Sequence, residues 1–371
     1  MKILEVNKLY YPHIGGIESL VKQYSEGLSK IPGNDVKVLV CRDGKGKGSV
    51  EELNGVNVTR ANSMGTYFSC PLSFDFIRKF RKMAKESDVV EIHTPFPLGD
   101  AALMLSGYKG KVVVAWHSDV VKQKKLLFFY KPFMNYLLKR ADRIIVATEG
   151  HINGSAYLPK HRDKCVVIPY GLSVDEYDNA PVKPILTDSL NDPDSVKVFF
   201  SGRLVYYKGV DVLLKAMKDV KGAELFISGS GDKEDELKAY VRDNGMGSRV
   251  HFMGFLSDED LKSAFSDCDI FVLPSVQRSE AFGIVQIEAM VYGKPVINTD
   301  LPSGVPYVSL NGKTGITVKP DDADELKVAI QSLVDDPSAR KTYGINARER
   351  VMAEFNEDDV IVRLHNLLSN I

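Results

Sequence analysis

Two carboxylates eight residues apart, Glu280 and Glu288, stand out in the segment SEAFGIVQIEAM. Glu288 lies amid Val285, Ile287, Ala289 and Met290, where an unpaired carboxylate is costly. Glu280 is expected in the loop before a helix and Glu288 about two turns inside it, on nearly one helical face and ~12 Å apart along the axis. That exceeds the ~5–9.5 Å between the carboxylates of a glycosidase. It suits the two ends of one extended ligand, such as the sugar and the ribose of a nucleotide-sugar; a surface helix with scattered acids is the alternative. Arg203 and Lys208, five apart and flanked by Gly202 and Gly209, can converge on one diphosphate, the Arg as a planar fork and the Lys as a point charge. A solvated pair would not need the glycines.

Weaker signals lie elsewhere. Gly15 and Gly16 precede a helical pattern and offer close backbone approach and free N–H groups to a phosphate, or are a plain strand-to-helix turn. His117 ends an apolar run and can donate to a phosphate or sugar hydroxyl, or sit satisfied in the core. Gly229 and Gly231 form a tight turn, but Glu234 takes the third glycine position of GxGxxG, which argues against a nicotinamide dinucleotide fingerprint. Gly254, Phe255 and Leu256 follow a strand, where their backbone can read a nucleobase edge or pack as a strand end.

Short β-branched apolar runs alternating with helical patterns must position these residues. Strands are predicted at 2–6, 36–41, 56–60, 89–93, 112–117, 143–147 and 165–169, with helices at 17–30, 73–86 and 125–140. Residues 178–195, with three prolines and no periodicity, read as a linker. The alternation restarts with strands at 196–201, 223–228, 250–253, 270–274 and 295–299 and helices at 210–217, 233–244, 258–266 and 282–292. Runs of this kind fit strands buried on both faces, so the fold class is α/β: two doubly wound, Rossmann-like domains facing a central cleft. The predicted division is 1–178, 179–194 as linker and 195–355, with the closing helix at 356–371 packing back on the first domain.

The 371 residues suit two domains, and 44% hydrophobic with 26% charged residues excludes disorder. A net charge of −1 argues against a general nucleic-acid binder. The charge is nonetheless divided, +7 over residues 1–190 and −8 over 191–371. Cys41, Cys70, Cys165 and Cys268 are too scattered for a zinc site or disulfide framework. No apolar stretch approaches the ~20 residues of a membrane span, and a cytoplasmic or membrane-peripheral location is expected. Lys122, Lys124, Lys125, Lys131, Lys139 and Arg140 interleave with Leu126, Leu127, Phe128, Phe129, Tyr130, Phe133 and Tyr136 across residues 120–140. Residues 76–85 add Arg78, Lys79, Arg81, Lys82 and Lys85. Basic residues with aromatic anchors suit an anionic membrane surface; a helix buried on one face with a solvated basic side is the alternative.

GGIE, the His after the fifth strand, GRLVYYKG, the GSG turn, MGFLSDEDL and EAFGIVQIEAM occur in this order along nearly the whole chain. The set resembles the family 4 retaining glycosyltransferases of GT-B fold. The resemblance implies that Arg203 and Lys208 bind the donor diphosphate and neutralise the leaving nucleotide, and that Glu280 holds donor-sugar hydroxyls. Phe282 and Gly283 would offer backbone N–H groups near the sugar and phosphate, with Ala281 and Ile284 also in the donor site, Glu288 would bind the ribose, and Gly254 to Leu256 would border the base. Gly15, Gly16, Gly202 and Gly229 would line the donor site, and His117 would face the transferring sugar. No metal or other cofactor would be needed. Many relatives carry Gly-Gly-x-x-Glu after the last strand; here Ser303 to Val308 supplies no carboxylate. The HSDVVKQKK stretch is similar to mannosyltransferases of bacterial O-antigen assembly. It implies GDP-mannose as donor, a polyprenyl-diphosphate-linked oligosaccharide as acceptor, and the inner face of the cytoplasmic membrane as location. A UDP-sugar donor and a non-catalytic nucleotide-sugar-binding scaffold are the competing readings.

Overall fold

The computed structural model describes residues 1–371 apart from 14, 68–69 and 120–123, with side chains of the helix Lys124–Arg140 described from residue 130 onward. The chain divides into two compact units: Met1–Tyr170 with Asp358–Ile371, and Gly171–Glu357.

In the first unit the strands of the main sheet, beside two small two-stranded sheets, are β1 (Lys2–Val6), β2 (Asp35–Cys41), β3 (Val50–Leu53), β4 (Val56–Ala61), β5 (Val89–Thr94), β6 (Lys111–Trp116), β7 (Arg143–Val146) and β8 (Cys165–Val167). They form one sheet in the order β8-β7-β6-β5-β1-β2-β4-β3. All neighbours are parallel except β3, which returns along β4 through Asn54 (φ 49°) and Gly55 (φ 80°). Both central residues have positive φ, which suits an Asn-Gly hairpin. Side chains alternate between faces along each strand. Leu4, Val6, Ile92 and Val114 meet Phe76, Phe80, Leu103 and Leu137 from three helices on one side. Ile3, Val38, Val89 and Val113 meet Val21, Tyr24 and Leu28 of the helix Gly16–Ser29 on the other, with Val360, Ile361 and Leu364 of Glu357–Ser369. The C-terminal helix is thus part of the first core. It approaches so closely at Gly27 that a Cβ there would lie 2.7 Å from Ile361 Cδ1.

The second unit holds β9 (Val196–Ser201), β10 (Ala223–Ser228), β11 (Val250–Gly254), β12 (Ile270–Val272), β13 (Val296–Thr299) and β14 (Gly315–Val318). Its sheet is parallel throughout, in the order β11-β10-β9-β12-β13-β14. The structure departs from the predicted division at 178 and 179–194. The boundary falls at Tyr170/Gly171, and residues 179–194 are fastened to the second unit. Asp267 accepts from the backbone N–H groups of Leu186 and Thr187, each at 2.8 Å, and Glu224 from those of Asn191 and Asp192. Carboxylates 30 to 80 residues away satisfy this backbone, so it needs no periodicity of its own.

Candidate functional site

Three loops at the carboxyl ends of β9, β10 and β11 are laced by their backbones. Gly202 N–H donates to Ser228 O (3.0 Å), Leu204 N–H to Ser230 O (2.9 Å) and Gly229 N–H to Gly254 O (2.7 Å). A Cβ at Gly229 would lie 2.0 Å from Gly202 O, and one at Gly231 2.3 Å from Leu204 O. These glycines let the loops touch, and so fix the start of the segment bearing Arg203 and Lys208. Arg203 is exposed, its Nη2 donating to Tyr207 Oη at 3.0 Å. Lys208 ends the single turn Tyr206–Lys208, buried, with Nζ 2.6 Å from Glu280 Oε2. Ser275 Oγ donates to the same oxygen at 3.1 Å. Lys208 and Glu280, 72 positions apart in sequence, therefore form one buried ion pair that orients both groups. Gly254 has φ 66° with open space where a Cβ would be, and the next side chain, Phe255, is 87% exposed. Leu256 follows it on the same loop.

The two signal carboxylates are not on one helix. Gly283 has φ 74°, which breaks the helical run, and the helix spans Val285–Val291. Glu280 lies in the loop before it, while Glu288 is in its first turn rather than about two turns inside, so the separation along one helical axis does not apply. The loop carrying Glu280, Ala281, Phe282, Gly283 and Ile284 is held from behind. Gln286 Nε2 donates to Phe282 O, Asn298 Nδ2 to Gln286 Oε1 (2.8 Å), and Gly304 N–H to Ala281 O (2.6 Å). The 303–308 stretch, which lacks the expected carboxylate, thus buttresses the loop through its backbone. Phe282 is buried edge-on against Phe355, while Ile284 is exposed. Glu288 is half-buried and accepts from Tyr177 Oη at 2.7 Å. Burial pushes its carboxyl up, with the Tyr177 hydroxyl opposing. Tyr177 and Asn298 carry no motif signal because their partners, Glu288 and Gln286, lie 111 and 12 residues away, whereas Tyr207 and Gln286 sit inside the motifs and act on Arg203 and Phe282 four residues away.

In the first unit Gly16 opens the helix Gly16–Ser29 with nothing within 4 Å of where its Cβ would be. At Gly15 a Cβ would meet only the carboxylate tip of the Glu18 side chain, Oε2 at 2.3 Å, which can swing aside. His117 follows β6, buried, with both ring nitrogens engaged: Nε2 lies 3.0 Å from His93 Nδ1, and Nδ1 lies 2.9 Å from Tyr170 Oη. Contact with a ligand through either nitrogen requires exchange of one of these partners.

Behind His117 is a polar group the sequence reading missed. His93 Nε2 lies 2.9 Å from Glu5 Oε2, and Glu91 is beside them, all three fully buried. Burial lowers the His93 imidazole to about 3 and raises the Glu91 carboxyl well above its ordinary range. This is the one place among the described residues where three His or carboxylate donor atoms converge, within 4.8 Å of one another. Both His93 nitrogens are committed to Glu5 and His117, which leaves no lone pair for an ion, so the set reads as a proton-sharing cluster.

The helix Phe74–Lys85 buries Phe76, Phe80 and Ala84 and exposes Arg78, Arg81, Lys82 and Lys85. Tyr130 of Lys124–Arg140 is also in the core, its hydroxyl donating to Asp100 Oδ2 at 2.6 Å, and Phe133 and Tyr136 pack partly buried against the same cluster. These three aromatics are therefore not free anchors. Lys122 lies outside the described residues, as do the side chains of Lys124 to Phe129. Among the described residues, Leu72 and Phe74 at the start of the helix Phe74–Lys85 are exposed apolar side chains, 46% and 75% exposed. Among the described residues no helix is long and apolar enough to cross a membrane.

The family described as Glycosyl transferases group 1 matches residues 184–350, and Glycosyltransferase Family 4 matches residues 14–176. The chain is 30% identical to O-antigen chain mannosyltransferase C of Escherichia coli, covering 100% of this chain and 99% of that protein. It is 33% identical to D-rhamnosyltransferase WbpZ of Pseudomonas aeruginosa over 96% and 92% of the two chains. Among solved structures, Anabaena HepE in complex with UDP aligns over 100% of both chains with a TM-score of 0.79 at 19% identity.

Proposed function

The chain belongs to the family 4 glycosyltransferases of GT-B fold, and on that premise we propose that it moves mannose from GDP-mannose, with retention of configuration, to a lipid-linked oligosaccharide of bacterial surface-polysaccharide assembly. The second unit is the donor-binding body and the first the acceptor-binding body. The observation that carries this reading is the Lys208–Glu280 pair beside Arg203, three loop residues on strand ends of one sheet. Ligands of open α/β sheets bind at such carboxyl ends.

Arg203 and Lys208 face the donor diphosphate. As Lys208 turns to phosphate oxygens, Glu280 is released to accept from sugar hydroxyls. The acceptor hydroxyl forms its bond to the anomeric carbon as the bond to the phosphate oxygen breaks on the same face, and the hydroxyl proton passes to the departing phosphate. Positive charge developing on the sugar and negative charge on the diphosphate are stabilised by groups already in place, which is where most of the rate arises. Glu288 takes the ribose hydroxyls, Phe255 borders the base, and Gly16 approaches the phosphate. His117 is assigned to the transferring sugar. The pair of cations makes a metal unnecessary for the leaving group.

Membrane association is supported by Leu72 and Phe74 at the start of the basic helix Phe74–Lys85. A UDP-sugar donor is the second reading, favoured by the structural likeness to HepE, whose solved complex holds UDP. The test is transfer from GDP-mannose or UDP-sugars to lipid-linked glycans, with the product linkage read by NMR. An α-linked product from GDP-mannose supports the proposal; transfer only from a UDP-sugar moves the donor, and an inverted linkage overturns the mechanism.

A further inference from the structure

The hydrogen-bonded row behind His117 has a property that no single member has. Glu5 lies directly across from Glu91 on neighbouring strands, and His93 is two residues beyond Glu91, on the same face. The row runs Glu5 Oε2 to His93 Nε2 at 2.9 Å, His93 Nδ1 to His117 Nε2 at 3.0 Å, and His117 Nδ1 to Tyr170 Oη at 2.9 Å. The two imidazole planes are within 7° of parallel. Burial disfavours imidazolium on both rings, so each is neutral, with one N–H and one lone pair. In such a row the direction of one hydrogen bond dictates all the others.

Two directions are self-consistent. With a proton on Glu5, the carboxyl donates to His93 Nε2, His93 Nδ1–H donates to His117 Nε2, and His117 carries its own proton on Nδ1. With Glu5 ionised, His93 Nε2–H donates to it, and His117 carries its proton on Nε2. Between them the Glu5 proton passes to His93 Nε2, that of His93 Nδ1 to His117 Nε2, and that of His117 Nδ1 leaves to water at the Tyr170 end, so the row loses one proton while each ring stays neutral. Among the described residues, Glu5 Oε1 and both Glu91 oxygens meet no other N–H or O–H, which leaves the two carboxyls to share protons with each other. Burial raises both, Glu5 to about 8.

We propose that Glu5 and Glu91, acting through His93, set which nitrogen of His117 bears its proton and are thereby positioning residues for the transfer reaction. The inference rests on the assignment of His117 to the transferring sugar. In the neutral-pH direction His117 presents an N–H at Nδ1, the nitrogen beside Tyr170 rather than the one inside the sheet, and so is a donor to a sugar or phosphate oxygen. The other ionisable groups near the row are Glu18, Tyr24 and Tyr10 from the segment ahead of and within the first helix, His151 of the helix Glu149–Gly154, and Tyr170. Glu18 favours charge on His93, and His151 disfavours it on His117.

The experiment is ¹⁵N-histidine NMR of the full chain from pH 6 to 10, with His117 identified by its loss in His117→Ala. The expected result is Nδ1–H at pH 6.5 passing to Nε2–H near pH 8, no passage in Glu5→Gln, and loss of the matching alkaline limb of kcat/KM in that variant. A single His117 tautomer across the range in the wild-type protein overturns the relay, even if Glu5→Gln does not fold. Full turnover by His117→Ala, with the tautomer change present, overturns instead the assignment of His117 to the reaction.

Discussion

Gly209 joins the two halves of the charged site, and replacing it with Ala has a consequence that can be worked out from two glycines of the same conformation. Gly209 has φ 67° and Gly245 φ 64°, so a Cβ at either pays the left-handed backbone cost of about 1–2 kcal/mol. At Gly245 nothing lies within 4 Å of that Cβ. At Gly209 it would lie 2.1 Å from Pro274 O and 3.0 Å from Val276 Cγ1. Backbone must shift, adding an overpacking cost of typically ~1–3 kcal/mol. The expected destabilisation is thus about 1–2 kcal/mol for Gly245→Ala and about 2–5 kcal/mol for Gly209→Ala, read from urea midpoints at constant slope. Lys208 precedes Gly209, and Ser275, which holds Glu280, follows Pro274. Relief of the clash therefore parts the two loops, and a displacement of ~1 Å costs roughly 10²-fold in turnover. Gly245→Ala should keep full turnover. Equal midpoints for the two variants, or unimpaired turnover in Gly209→Ala, would refute the role given to this contact.

Four further outcomes are expected. Gly27→Ala places a methyl group against Ile361 and should destabilise by about 1–3 kcal/mol, with part recovered by adding Ile361→Val in denaturant unfolding. Burial pushes the Asp100 carboxyl up from 3.8 to about 7, so the fold favours its protonated form; that stability is complete below pH 3.8 and declines as pH rises to 7, by roughly 4 kcal/mol. Asp100→Asn should flatten this part of the stability–pH curve, and a curve parallel to wild type would contradict it. Phe255→Ala should raise donor KM about 10-fold with kcat kept, as loss of base stacking worth ~1–3 kcal/mol implies, and EDTA should leave turnover unchanged.

The strands were legible because parallel sheets covered on both sides need β-branched runs, and Val196–Ser201 and Ala223–Ser228 fall where the runs end. The apolar setting of Glu288 marked a partnered carboxylate, but its partner, Tyr177, is 111 residues away and unmarked. Lys208 and Glu280 were each visible, their mutual pairing not, since it depends on β9 and β12 being neighbours in the sheet. The Glu280–Glu288 separation does not follow a helical axis, because Gly283, with positive φ, delays the helix to Val285 and leaves Glu288 in its first turn. Residues 179–194 looked unstructured because Asp267 and Glu224 supply their hydrogen bonds from outside. Glu5, Glu91 and His93 carry the same signal, since KILEV and VVEIHT place three ionisable residues inside apolar strands. The burial argument applied to Glu288 would have found them.

The most direct test of the donor site is calorimetric titration of GDP-mannose, GDP and UDP into the wild-type chain, Lys208→Ala and Glu280→Gln without added metal. The expected result is binding of GDP and GDP-mannose by the wild type, at least about 10-fold weaker binding of both by Lys208→Ala, and by Glu280→Gln a loss confined to the sugar-bearing ligand. Undiminished binding of GDP-mannose by Lys208→Ala would contradict the assignment of the diphosphate to this ion pair.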